Sequence, residues 1–172
     1  MNLKRTITAL LIAFGMTLAF SSPAHAGGAY FGINFEIIGA PQDLQISNSF
    51  RFVTLPIPGV QLGYDFGDGV EGYGARVSFN FFFFGQIALD GYYRFALDTG
   101  GSNVYVGGGV EYQFLITLPA AQGAPGLHAL GGLEWRPTRN LGVFIEATPG
   151  VLLQLPAIGF TVIVRGGFVV RF

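Results

Sequence analysis

From Tyr30 to Phe172, apolar and polar side chains alternate with period two in one segment after another. In residues 30–37, Phe31, Ile33, Phe35 and Ile37 share one face, while Tyr30, Gly32, Asn34 and Glu36 share the other. Successive side chains of an extended chain point to opposite sides, so this pattern predicts a strand whose faces meet two different surroundings. The same reading applies to residues 60–66, with Gln61 and Asp65 on the polar face, and to 72–81, with Arg76, Ser78 and Asn80. It applies again to 87–97, with Asp90 and Arg94, to 104–114, with Glu111 and Gln113, and to 127–136, with His128 and Glu134. Residues 141–148, carrying Glu146, and 160–172, carrying Arg165 and Arg171, complete eight segments.

Turn-forming residues separate them. Gly67-Asp68-Gly69, residues 98–103 and residues 137–140 predict tight turns after the second, fourth and sixth strands. Residues 38–59, 119–125 and 149–159, each holding proline, predict longer connections after the first, fifth and seventh, with part of the first able to extend a strand, whereas the link after the third is short. Short turns at one end and longer loops at the other are the rhythm of an antiparallel up-and-down sheet closed across a membrane.

Composition narrows the solvent. The chain is 51% hydrophobic and 15% aromatic, only 11% charged, and contains 27 glycines. No apolar run after the N-terminal region is long and clean enough for a spanning helix, because Arg, Asp, Glu or Gly interrupts each one. A bilayer admits only helices and closed sheets, since an unpaired peptide group in hydrocarbon costs several kcal/mol. The fold class expected is therefore all-β, an eight-stranded antiparallel up-and-down transmembrane β-barrel. A soluble ligand carrier of the lipocalin type has the same strand number with inverted faces, an apolar inside and a charged outside. Arg76, Asp90, Arg94, Glu111, Glu134, Glu146 and Arg165 all fall on one face, too ionic for an apolar pocket, and the opposite face is nearly uncharged.

The N-terminus points to export. Lys4 and Arg5 precede an apolar run over residues 7–20, then Ser21-Ser22-Pro23 and Ala24-His25-Ala26. This predicts a signal peptide, residues 1–26, cleaved after Ala26, and a single barrel domain, residues 27–172. The run is too short for a span, which needs roughly 20 apolar residues. The domain then carries seven arginines against ten acids, a net charge of about −3, with no basic surplus for nucleic acid. Absence of cysteine excludes disulfides and thiolate metal sites.

The closing segment, with Phe168 and Val170 on the uncharged face and Phe172 at the end, resembles the assembly signal of Gram-negative outer-membrane β-barrels. Together with the signal peptide, eight alternating segments and alternating connections, the chain resembles the small OmpA-like and OmpW-like barrels, without a motif that selects between them. The resemblance implies a monomer in the outer membrane, and the rhythm of short turns and longer loops puts both mature ends in the periplasm. It implies two partners, outer-membrane lipid and the assembly machinery, the latter engaged through Phe168, Val170 and Phe172. It implies no cofactor.

Three constellations bear on function. The first is the set of charges expected in the lumen: Glu36, Asp65, Arg76, Asp90, Arg94, Glu111, Glu134, Glu146 and Arg165. Eight strands enclose an interior just wide enough for side chains, so these charges must meet one another as a plug; the competing reading is a porin-like polar pore. The second is His128: the resemblance extends to small outer-membrane barrels that are lipid-modifying enzymes built on His with Ser and an acidic partner. No serine neighbours it in sequence, so a lumen or rim histidine is expected, with no catalytic residues and no metal. The third is an apolar surplus at the outer rim, including Phe82, Phe84, Leu118, Leu152 and Leu155. Longer strands whose residues touch lipid or pack as a rim core account for it; a funnel taking up small hydrophobic ligands is the alternative. Tyr64, Phe66, Tyr93, Phe95, Trp135, Phe168 and Phe172 fit an aromatic girdle. The expected function is that of a non-enzymatic membrane barrel with a structural or surface-interaction role.

Overall fold

The computed structural model describes residues 28–41, 50–66, 71–81, 84–97, 102–117, 120–154 and 157–172. Eight strands occupy them: β1 (Gly28–Pro41), β2 (Phe50–Asp65), β3 (Gly72–Phe81), β4 (Phe84–Ala96), β5 (Asn103–Thr117), β6 (Ala120–Trp135), β7 (Leu141–Gln154) and β8 (Ala157–Arg171). Each pairs antiparallel with its chain neighbour, and β1 pairs with β8 from Tyr30↔Arg171 to Gly39↔Val162, so the sheet closes. Closure abolishes the unpaired edge that hydrocarbon would not tolerate.

The strands are staggered. A path across the ladders leaves β1 at Tyr30, passes Gly63, Arg76, Asp90, Gly109, His128 and Gly150, and reaches β8 at Thr161. The next residue, Val162, faces Gly39, far along β1 from Tyr30. That offset is the stagger required to close tilted strands into a narrow barrel.

The strands are longer than their sequence pattern predicts. Residues 119–125 and 149–159, expected as connections, are almost entirely strand, and β2 starts at Phe50 rather than Val60. The prolines explain the difference. A proline removes one ladder donor, which is tolerated where that donor has no partner. Among the described residues, the β2–β3 ladder runs no further than Gly59↔Asn80, leaving Pro56 and Pro58 beyond it. The β6–β7 ladder ends at Gly126↔Leu152, leaving Pro125 beyond it, and between His128↔Gly150 and Gly131↔Ala147 its register skips Pro149. With β3 and β4, β5 and β6, and β7 and β8 each separated by two residues, connection length does not distinguish the two ends of the barrel in the way expected.

At the opposite end, backbone bonds close the turns: Phe66 N–H donates to Tyr73 O and Leu97 N–H to Ser102 O, both at 2.8 Å. Gly72, at φ 132°, takes a conformation that side-chain-bearing residues rarely adopt.

Alternation along each strand separates two environments. Outward lie Ile33, Phe35, Leu89, Val110, Leu127, Leu133, Ile145, Phe160 and Phe168, large apolar side chains exposed all round the barrel. Inward lie Asn34, Glu36, Gln61, Arg76, Asp90, Glu146 and Arg165, all buried. A soluble protein exposing so continuous an apolar surface would aggregate; in a bilayer the same surface meets acyl chains.

Candidate functional site

The lumen is the candidate site, and it is built in layers. In the middle, Arg76 on β3 sets Nε 2.7 Å from Asp90 Oδ2 on β4 and Nη2 2.6 Å from Glu146 Oε2 on β7. Arg165 on β8 sets Nε 3.1 Å from Glu36 Oε1 and 3.3 Å from Glu146 Oε1, and its Nη1 donates to Ser78 Oγ at 3.3 Å. Amides and a hydroxyl supply further donors. Asn34 and Asn80 donate to Glu36, Gln86 and Gln113 donate to Glu111, and Thr148 donates to Glu146. A carboxylate removed from water is tolerated only when cations and donors replace its hydration, and that replacement is visible around each of these acids.

His128 belongs to this layer. Its Nε2 lies 2.7 Å from Asp90 Oδ1 and its Nδ1 lies 3.6 Å from Glu111 Oε2. Both ring nitrogens thus face carboxylates, and Ser78, the serine of this region, is engaged with Arg165 instead. Among the described residues, no serine or threonine hydroxyl is hydrogen-bonded to the imidazole as acyl-transfer chemistry needs. Among the described residues, no group of three or more His, Asp or Glu is arranged to hold a metal ion.

A second ionic layer lies at the end where the chain finishes. Arg94 Nη1 is 2.5 Å from Asp65 Oδ2, Arg171 Nε is 3.1 Å from the same oxygen, and Arg171 Nη1 is 2.5 Å from Glu134 Oε1. Arg136 Nε adds a 3.0 Å contact to Glu134. Tyr92 donates its hydroxyl to Asp65 at 2.6 Å, and its oxygen lies 2.9 Å from the Tyr30 hydroxyl.

Between the two layers stands a buried cluster of Tyr30, Tyr92, Tyr105, Leu130, Phe144 and Val169. Arg76 and Arg94, one from each ionic layer, both lie 5.9 Å from the Tyr92 ring centroid, within cation–π range. Each tyrosine lies over a glycine directly across the ladder: Tyr30 over Gly63, Tyr92 over Gly74, Tyr105 over Gly132. A Cβ on any of these glycines would come within 2.4 Å of the ring, so glycine is what lets the tyrosines lie flat in so narrow a lumen. Among these side chains lies a void of about 20 Å³ lined by Tyr30, Arg76, Tyr92, Arg94, Glu134 and Arg171, room for about one water.

Solved structures resemble this chain over most of its length. Neisserial surface protein A superposes with a TM-score of 0.60 at 11% identity, covering 85% of this chain and 99% of the other. Ail, the attachment invasion locus protein of Yersinia pestis, in complex with the heparin analogue sucrose octasulfate, gives 0.53 at 15% identity, covering 86% and 99%. The N-terminal β-barrel domain of Pseudomonas aeruginosa OprF gives 0.50 at 19% identity, covering 80% and 96%. The fold is that of the small outer-membrane β-barrels. No protein-family model matches the sequence, and no curated protein sequence is significantly similar to it. At these identities the likeness is one of fold and assigns no subfamily.

Within this outer-membrane-type barrel, the nine charged residues picked out by alternation, Glu36, Asp65, Arg76, Asp90, Arg94, Glu111, Glu134, Glu146 and Arg165, are all buried inside. They divide between two layers rather than forming one network. Glu111 meets His128 and two glutamines in place of an arginine, and Glu134 takes its cations from Arg171 and Arg136. Arg171 was discoverable from sequence, since it shares the parity of Arg165 on β8. The tyrosine layer was not, because its glycine partners lie on other strands. Of the rim residues, Leu152 is buried on the inner side of β7. Phe82, Leu118, Leu155 and the side chain of Phe84 lie outside what is described, as does the segment 1–26. Phe168 and Val170 are exposed on the outside, and Phe172 N–H donates to Ala29 O at 3.0 Å, tying the last residue to β1.

Proposed function

We propose that the protein is a monomeric, non-enzymatic barrel of the outer membrane that acts as a structural or surface-interacting component and conducts nothing through its lumen. The observation that carries this reading is the two-layer plug: two sets of buried ion pairs separated by tyrosines, around a void of about 20 Å³. A pore needs a continuous water column, and side chains fill this one. Support for the outer membrane comes from the closed apolar exterior and the fold, joined to the export signal expected in residues 1–26. Its mature ends are then periplasmic, and the aromatic C-terminal end of β8, with Phe168, Val170 and Phe172, is what the assembly machinery engages.

The partner at the outer surface is not a polyanion of the kind bound to Ail. Sulfated sugars require clustered cations, and in residues 42–49, 82–83, 118–119 and 155–156 the one charged residue is Asp43. Neutral or apolar contacts with lipid suit this rim better.

The test is reconstitution of residues 27–172 into planar bilayers. Absence of stepwise conductance supports the plug; stable ion-conducting channels from the folded protein would overturn it.

A further inference from the structure

We infer that Arg165 is the register key of barrel closure, selecting the one alignment in which β8 joins β1 and β7. The need for a key follows from the pleat. Alternation decides which face of β8 meets lipid, and a slip of one residue would turn Arg165 outward at high cost. A slip of two keeps Phe160, Val162, Val164, Gly166, Phe168 and Val170 outward and leaves the lipid face as apolar as before. Lipid contact therefore cannot choose among alignments two residues apart.

The inward face can. β8 brings two inward arginines and no acid, between β7, whose inward charge is Glu146, and β1, whose inward charge is Glu36. In the observed register Arg165 is directly opposite Glu36 on one seam and directly opposite Glu146 on the other. Its Nε lies 3.1 Å and 3.3 Å from their carboxylates, and all three side chains are fully buried. Slipping β8 by two in either direction places Ile163 or Gly167 opposite both acids, leaving Glu36 without its arginine and Glu146 with Arg76 alone. Uncompensated buried charge is among the costliest local defects a fold can carry. The arrangement also explains why the acids belong to the two strands flanking the seam: the charge match forms only when β8 docks between them.

Gly167 contributes a separate, steric preference, because a Cβ there would lie 2.1 Å from Ile33 O. The test retains it and so isolates the charge. The chain has no cysteine, so introduced pairs report register cleanly. Ile33→Cys with Phe168→Cys are opposite in the observed register; Ile33→Cys with Gly166→Cys, or with Val170→Cys, become opposite only after a two-residue slip. Each pair is placed in the wild-type background and in the neutral triad Glu36→Gln, Glu146→Gln, Arg165→Met, refolded into vesicles and oxidised. The displaced cross-links are expected to rise about tenfold in the triad, and Arg165→Lys is expected to keep the wild-type pattern. Native cross-linking alone at wild-type yield in the triad overturns the inference. So does a triad that fails to insert, because losing a register preference leaves the strands free to close.

Discussion

Replacing Arg76 with methionine tests whether the lumen charges are held in a desolvated interior. Arg76 neutralises two carboxylates at once, Asp90 at 2.7 Å and Glu146 at 2.6 Å, and is 4% exposed. Removing one member of a buried ion pair costs about 3–5 kcal/mol, because the other is left charged and unsolvated. Here each acid keeps a second partner, His128 at 2.7 Å from Asp90 and Arg165 at 3.3 Å from Glu146, which places the loss at the low end, about 3 kcal/mol. That is roughly a 150-fold shift of the folding equilibrium. Trp135 is the sole tryptophan and lies exposed on the lipid face, so its fluorescence follows insertion directly during urea titration in vesicles. A companion variant, Arg76→Met with Asp90→Leu and Glu146→Met, exchanges charges for apolar groups and should return to within about 1 kcal/mol of wild type. If Arg76→Met unfolds at the wild-type urea concentration, the lumen is hydrated and the plug fails as an explanation. If the triple variant is as weak as the single one, packing rather than charge holds this layer.

Other outcomes follow from the same geometry. Leu89→Arg, on the lipid face of β4, should destabilise by about 2–4 kcal/mol in vesicles; a neutral effect would mean that this face meets water. Gly107→Ala should block refolding, because its Cβ would lie 2.1 Å from Gly91 O, whereas Gly131→Ala meets nothing within 4 Å and should stay within about 0.5 kcal/mol of wild type. Equal refolding yields for the two would contradict the ladder assignment. Deleting Phe172 removes the bond to Ala29 O and should lower the fraction of heat-modifiable barrel recovered from outer membranes, while urea stability of refolded protein changes little. His128→Ala should leave membrane lipid acyl composition unchanged and cost about 1–3 kcal/mol through the donor withdrawn from Asp90; an altered acyl profile would revive an enzymatic role.

Alternation by itself determined the architecture. Which solvent each face meets is a local property, written in pairs such as Ile33 against Asn34 or Val164 against Arg165, and eight such segments free of spanning helices admit only a closed sheet in a membrane. The same parity assigned the lumen charges to the inside, because a charge and its apolar neighbours alternate within one strand. Strand ends were decided by the tertiary structure: Pro56, Pro58, Pro125 and Pro149 read as loop signals, yet each sits where a ladder ends or skips, and only the stagger of the barrel says where that is. Pairing within the lumen was decided there too. Arg76 meets Glu146, 70 residues along the chain, and Tyr92 lies over Gly74 across the β3–β4 ladder. Such matches depend on register and closure, which set distances between strands that no single strand encodes.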